Sequence, residues 1–534
     1  MDWTSAAAAV AGASVAAALS YYALFRPVRD GGVPLLGVST FRFLCSIANP
    51  KAPELLLAIG RSCAAPVFRV RLPDLAFNYF VQDGRLARAL LAEGATDKTP
   101  AYRMFDGTTA GTRSMFTKMN GAAHKFARKG VVPAFRPEHL HRMRSVCLAH
   151  LAAWTAAELE PAVAAGQPVD ICHHMLKVTV GAIAEAAFEY AMSDAEVVSF
   201  LHDLELCLDE YAQKQIMLPW RKLIAWALPS ARAAHAAAHR NMAMMEKILE
   251  HYRALPPGAA GKETVVALIA NNLGYKDDRE RCAELLIMMI AYACITPSPP
   301  PPPFPSRCSR LSPPSSSGRG RRAVGAPRPP GALADFPFSP SPPFPFSCVR
   351  GARSGHDTTS FSVCWALCDL AAHPERAAAL RTALRASSEP HACPELLAAV
   401  KESMRLHPVA ALGSMRRLLR DFPVAGTPYV LPAGAHVTMP FHLIFRFTGR
   451  VEQPDEYLPE RWAKPSLELV ESFFPFAAGT RNCVGQGLAS TELHAIVAKL
   501  AADYDFSLAK APEPYYALTN KPLGALLLAR RASE

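Results

Sequence analysis

The sequence predicts a mainly helical fold with a minor β-sheet. Two observations carry this. From about residue 50 onward, apolar residues recur at intervals of three and four, as in 137–160 and 231–255, which is the period of an amphipathic helix. Runs of β type are short and stand in two places, 66–83 and 423–440. The second holds turn signals at 424–428 and 432–434 between short apolar stretches, the pattern of a small sheet or hairpin. No internal repeat is visible. At 534 residues, 50% of them apolar, the chain is long enough to bury a large core.

Along the chain, residues 5–25 come first: they carry no charge and are about long enough to cross the hydrocarbon core of a bilayer as a helix. Arg26 and Arg29 follow at once, and Asp2 is the only charge before them, so a signal anchor with the rest of the chain in the cytoplasm is expected. A cleaved signal peptide or a plastid transit peptide is the other reading, because the stretch is rich in Ala rather than Leu.

One segment departs from the helical pattern. Residues 297–346 hold seventeen of the 47 Pro, including an unbroken run over 299–303, mixed with Ser, Gly and Arg. Such a composition neither forms helix nor packs a core. The flanks are different: 282–291 is strongly apolar and 355–367 is equally helical in period, and joining Ala291 to Gly355 gives one uninterrupted helix. Residues 292–354 are therefore expected to be an in-frame retained intron or a gene-model error, with a genuine disordered insertion as the alternative. They contain eight Arg, one Asp and no Lys or Glu, a balance of +7 that leaves only +4 of the chain's +11 elsewhere. That residue of charge carries no nucleic-acid footprint. The thirteen Cys include no C-x-x-C pair, which argues against a zinc ribbon or a thioredoxin-like motif and for a reducing compartment. Their odd number leaves at least one without an intramolecular partner, which suits a thiolate reserved for a metal.

The stretch 474–487, followed by an apolar helix over 488–500, carries the chemistry. Gly479, Gly485 and Gly487 permit tight turns and close backbone approach to a flat object. Cys483 lies just ahead of a helix whose N-terminal N–H groups favour an anionic thiolate, and Arg481 is placed to meet a carboxylate. A single thiolate so placed suits haem better than zinc or an iron–sulfur cluster, which need several.

Phe476, Gly479, Arg481, Cys483 and Gly485 fill every defining position of F-x-x-G-x-R-x-C-x-G. The stretch resembles the haem-binding loop of the cytochrome P450 family. The resemblance runs from about residue 50 to the C-terminus, leaving out the insert. It implies a cytochrome P450-like fold whose long central helix the insert interrupts, with Cys483 as axial ligand of heme b (iron protoporphyrin IX). Glu402 and Arg405 share one helical face at i and i+3, a weak signal alone. Followed by Leu406, His407 and Pro408 and then by 459–462, they resemble the family's buried Glu-Arg-Arg cluster, here Glu402, Arg405 and Arg461, whose role is structural. Residues 355–359 resemble the oxygen-activating kink of the central helix, which implies a proton relay through Asp357 and Thr358. The insert severs the helix just before them. His124 and Arg128, ahead of 132–135, resemble the helix that meets the haem propionates, with His124 where the family usually has Trp. Both can donate to a carboxylate, and a basic solvated helix face is the plainer reading. Arg416 looks like another propionate contact, with adjacent Arg417 as competitor.

The resemblance implies a monooxygenase that inserts one atom of O2 into an apolar substrate, with two electrons from outside. No flavin or nicotinamide fingerprint is present in the chain, so a partner is implied. At the endoplasmic reticulum membrane, with the catalytic domain cytoplasmic, this is NADPH–cytochrome P450 reductase; in a plastid it is ferredoxin. By analogy with the family, the substrate pocket draws on 100–122, 200–220, 287–290, 409–412 and 515–519. These are mostly apolar, which suggests a lipid, fatty acid, sterol or terpenoid. A haem-thiolate isomerase or dehydratase would share Cys483 without needing outside electrons, but Asp357 and Thr358 argue against it. A product left non-functional by the insert is the remaining alternative.

Overall fold

The protein is seen in a computed structural model that describes residues 31–36, 49–70, 79–92, 94–215, 219–256, 261, 263–292, 358–447 and 450–533. Helices form where the apolar period predicts them. Gly84–Leu91 (α1) is capped by Asp83, whose carboxylate accepts from Leu86 N at 2.9 Å. Ala122–Val131 (α2) follows, then Pro137–Trp154 (α3), which starts with Pro in its first turn and runs through a wide π-type turn at Thr155–Leu159. Ile171–Phe188 (α4) is buried on nearly all sides and is capped by Asp170 through His173 N at 3.1 Å. Pro229–Ala254 (α5), Asp278–Tyr292 (α6), Thr358–Ala372 (α7), Pro394–Leu406 (α8) and Gln486–Asp503 (α9) complete the helices that matter here.

Helices α6 and α7 both pack on α4. Cys282, Leu286 and Ile287 of α6 share a core with Val180, Ile183 and Ala187, in the C-terminal half of α4. Val363, Ala366 and Leu367 of α7 share another with Ile171, Met175 and Val178, in its N-terminal half. Midway, the hydroxyls of Thr179 and Ser360 are 2.6 Å apart. This is the order expected of two halves of one helix running antiparallel to α4. The intervening residues 293–357 lie outside the described residues, and so do residues 5–25. Among the described residues, no helix is long and apolar enough to cross a membrane.

The minor sheet has five strands: Val67–Arg69 (β1), Tyr79–Val81 (β2), Thr96–Lys98 (β3), Ser414–Leu418 (β4) and His436–Met439 (β5), in spatial order β1-β2-β5-β4-β3. The β2–β5 pair is parallel and the others are antiparallel. The two regions of β type expected from sequence contain strands, but β3 and β4 were not legible. Ser414–Leu418 reads locally as a basic loop, and only pairing with both neighbours hides Arg416. The sequence reading also passed over the strands Tyr504–Lys510, Glu513–Ala517, Thr519–Leu523 and Leu526–Arg531. Thr519–Leu523 is buried at four successive positions, so the period of two is absent there.

Candidate active site

The Cys483 loop is shaped by its own backbone. Cys483 N donates to Phe476 O at 2.9 Å, Ala477 N to Phe474 O at 2.9 Å and Asn482 N to Gly479 O at 3.1 Å. Gly479 has φ of 72°, and a Cβ there would stand 2.0 Å from the Leu91 carbonyl oxygen, so only glycine lets the loop lie against the end of α1. From α1, Arg88 donates to the carbonyls of Val470 and Phe473 at 2.9 Å each and stacks its guanidinium 4.9 Å from the Phe474 ring. Gly485 is the cap residue of α9.

Cys483 is exposed, yet burial pushes its thiol up, while the Gly485 amide and Arg128 pull it back. Both facts follow if the side chain opens onto an interior space walled by protein rather than onto bulk water. The amide acts as the sequence suggests and the acting cation is Arg128, but burial outweighs both. Such a thiol ionises when a metal coordinates it.

Around the loop lies a group of cations. Strand alternation separates the two arginine candidates: Arg416 is 4% exposed while Arg417 faces outward. Directly opposite Arg416 in the β3–β4 pair stands Lys98, itself 7% exposed. Burial, then Arg416 and Arg481, lower the Lys98 ammonium well below its ordinary value. Its Nζ donates to the Phe116 carbonyl and lies 4.3 Å from the Tyr102 ring centroid and 3.9 Å from that of Phe116. His124, 6% exposed on α2, is pulled to about 3 by burial first and then by Arg481, Arg128, Lys98 and Lys118. It is therefore neutral at ordinary pH. Arg481 is lowered to about 10 by burial, with Arg416 and Arg128 adding to the effect and Asp97 opposing it. Three of its five N–H groups go to Asn120 Oδ1 (2.7 Å), Lys118 O (2.7 Å) and Met115 O (3.4 Å), which leaves two for a ligand. Arg128 clamps the loop itself, donating to Asn482 O at 2.7 Å and Asn482 Oδ1 at 2.5 Å.

Lys98, Arg128, Arg416 and Arg481 thus outnumber Asp97. Two like charges buried directly opposite each other on neighbouring strands destabilise the fold by themselves. A dianion beside them would offset that cost. A thiol for iron and a buried cationic wall for two carboxylates are the donor set that a haem with its propionates requires, and the residues present fit it. Lys98, Asn120 and Asn482 had no local signal, and only register brings Lys98 to Arg416.

A second polar cluster lies apart. Glu402 and Arg405 are both fully buried at 0%. Glu402 accepts from Arg405 Nε (3.0 Å) and Nη2 (2.8 Å), Arg461 Nε (2.9 Å), Leu458 N (3.0 Å) and Trp462 Nε1 (2.9 Å). Arg405 also donates to the carbonyls of Phe445, Pro454 and Glu456, and Arg461 to those of Glu452 and Gln453. Trp462 packs on Phe473 with centroids 4.8 Å apart, and Phe445 packs on both Phe473 and Phe474. The cluster reaches the Cys483 loop through these rings. Thr358 is exposed at the start of α7, where its carbonyl accepts from Ser362 Oγ at 2.6 Å. Asp357 lies outside the described residues.

Of the predicted pocket segments, Tyr102, Phe105, Met115, Ile287, Ile290 and Leu518 share one apolar core with Val484, the neighbour of Cys483. Val409 packs elsewhere, against Leu176, Phe361 and Trp365, and Leu412 against the core around Leu56 and Phe68.

A mainly helical fold holding one thiol beside a buried wall of cations is the arrangement that the haem-thiolate resemblance implies. Comparison with known proteins agrees. Residues 353–530 match the family model described as Cytochrome P450. The chain is 30% identical over 173 residues to carnosic acid synthase of Rosmarinus officinalis, covering 30% of this chain and 34% of that protein. It is 32% identical over 177 residues to cytochrome P450 4d2 of Drosophila melanogaster (31% and 34%) and 34% identical over 174 residues to a sterol 14alpha-demethylase of Mycolicibacterium vanbaalenii (30% and 38%). The match thus spans about a third of the length of these curated relatives. In fold, a solved cytochrome P450 (CYP102L1) superposes with a TM-score of 0.67 at 17% identity, covering 90% of this chain and 98% of that one. Over residues 353–530 the chain is similar to the cytochrome P450 family, and its fold is that of a cytochrome P450.

Proposed function

We propose that the protein is a haem-dependent monooxygenase that hydroxylates an apolar substrate, consuming O2, two electrons and two protons and releasing water. The observation that carries this reading is Cys483 beside the buried cations Lys98, Arg416 and Arg481. When bound, a haem with a thiolate ligand supplies the O–O bond cleavage. The chain's own residues do the rest. Cys483 would ligate the iron; Arg416, Arg481, Lys98 and neutral His124 would hold the propionates; Asp357 and Thr358 would hold and pass on protons. The core of Tyr102, Phe105, Ile287 and Leu518 excludes water and favours a lipid, fatty acid, sterol or terpenoid, in keeping with the sterol in one relative's name. The two electrons come from an external reductase, NADPH–cytochrome P450 reductase at the endoplasmic reticulum or ferredoxin in a plastid. Glu402, Arg405 and Arg461 form the structural lock beneath the loop.

The reading extends to two segments. Residues 5–25 anchor the chain in a membrane, and the surface of the described unit supports membrane contact. Leu223 is 79% and Trp226 76% exposed, next to Lys222, a combination suited to the headgroup boundary of a bilayer. Residues 292–354 would be an in-frame retained intron or a gene-model error, a reading supported by α6 and α7 sharing α4 in helix order.

The test is the carbon monoxide difference spectrum of the reduced protein, as given and with residues 292–354 deleted, with Cys483→Ala as control. A strongly red-shifted Soret band in the deleted form, lost in Cys483→Ala, is expected. The same band in the full chain would show that the insert is tolerated. No such band in either form would sink the reading.

A further inference from the structure

The segment that grips Arg481 is itself held from its other side by one buried carboxylate. Glu284, 1% exposed on α6, accepts from Met115 N at 2.8 Å and pairs with Lys118 Nζ at 2.5 Å. The carbonyls of those same two residues receive Arg481, Met115 O from Nη1 at 3.4 Å and Lys118 O from Nη2 at 2.7 Å. Asn120, which receives Arg481 Nε at 2.7 Å, is tied in turn to β3. Its amide donates to Asp97 Oδ1 at 2.9 Å and its side chain to Thr96 O at 3.1 Å. The direction of the Arg481 guanidinium is therefore set by residues 115–120, and their position by β3 on one side and Glu284 on the other. Burial pushes the Glu284 carboxyl up, while Lys118 and the Met115 amide pull it back. A carboxylate so deep costs too much to be a mere surface pair.

We propose that Glu284 is a positioning residue for the anion site beside Cys483: acting through Met115 and Lys118, it aims Arg481 and balances the charge of Lys118. This rests on the reading of that site as the one that holds haem propionates. Because α6 also carries Ile287 of the apolar core, Glu284 links the substrate side of the molecule to the propionate side.

Glu284→Gln tests this, since it keeps the size and an acceptor for Met115 N and removes the charge. Two measurements on the full chain decide it. In hydrogen exchange, peptides over 114–120 and over 476–485 are both expected to exchange about tenfold faster, the scale of one lost hydrogen bond to a charged group. In the haem-loaded protein the reduction potential is expected to rise, because Lys118 is left without its carboxylate. The double variant Glu284→Gln/Lys118→Met should bring the potential back toward wild type without restoring slow exchange. If Glu284→Gln folds poorly, Glu284→Asp keeps the charge but shortens the reach; it should speed exchange over both peptides and leave the potential unmoved. Faster exchange confined to 114–120 with an unchanged potential would reduce Glu284 to a local tether and overturn the proposal, as would no change in either peptide. Absence of a red-shifted carbon monoxide band in wild type would instead sink the haem reading, and the exchange data would still decide whether Glu284 governs the Arg481 loop.

Discussion

Two buried polar clusters are found near the Cys483 loop, and they are built on opposite rules. In the cluster of Glu402, Arg405 and Arg461, a fully buried carboxylate binds both guanidinium groups. Glu402 alone receives five N–H groups. In the cluster of Lys98, Arg416 and Arg481, like charges face one another with Asp97 as a partial offset. The first is closed upon itself, and adding a ligand would break it. The second is incomplete as protein and gains from an anion. A buried charge cluster thus reads as a lock when its donors and acceptors balance, and as a binding site when they do not.

The comparison breaks first at Glu402. Glu402→Ala leaves Arg405 buried without its carboxylate, and a loss of roughly 3–5 kcal/mol is expected, seen as loss of soluble protein or a collapse of the thermal unfolding temperature with or without haem. Lys98→Met and Arg416→Met should act in the opposite sense on the two states. Each relieves repulsion and stabilises the haem-free protein, while weakening haem uptake about tenfold; a titration of haem-free protein with haem checks both. Should either variant lower the stability of the haem-free protein, the cluster is closed rather than incomplete.

Glu492 offers a third and smaller case, a buried acid without a countercharge among the described residues. It is 1% exposed on α9, and burial alone pushes it up to about 8 from an ordinary 4.5. It is therefore neutral in the folded protein at pH 7, whereas the unfolded chain releases the proton. Its contribution to stability is complete below pH 4.5 and is lost as pH rises toward about 8. Glu492→Gln should flatten the stability profile across that window in denaturant titrations at several pH values. The smallest effect belongs to Arg417→Leu. Because that side chain faces outward from β4, haem uptake should stay within about twofold of wild type, a difference well under the tenfold step of 1.4 kcal/mol.

Much of this was legible along the chain. The Cys483 loop is readable because its chemistry is local: Gly479 must turn left-handed under Leu91, and Phe476 must close the turn on Cys483 N, within eight residues. Glu402 and Arg405 are one helical turn apart, so their pairing is also local, and the helices follow from their apolar period. The insert announces itself by composition. By itself, then, the sequence determined the helical class and the lock pair on α8, and it singled out Cys483 and residues 292–354 as candidates.

Tertiary structure decided what depends on partners distant in sequence. Register placed Lys98 opposite Arg416, and alternation turned Arg416 inward and Arg417 outward. Packing brought Glu284 of α6 under residues 115–120 and so behind Arg481. Arg128, read as a ligand contact, also closes on Asn482. Lys98 and Glu284 carry no local signature, because a charge becomes part of a site only when other chain segments bury it without neutralising it.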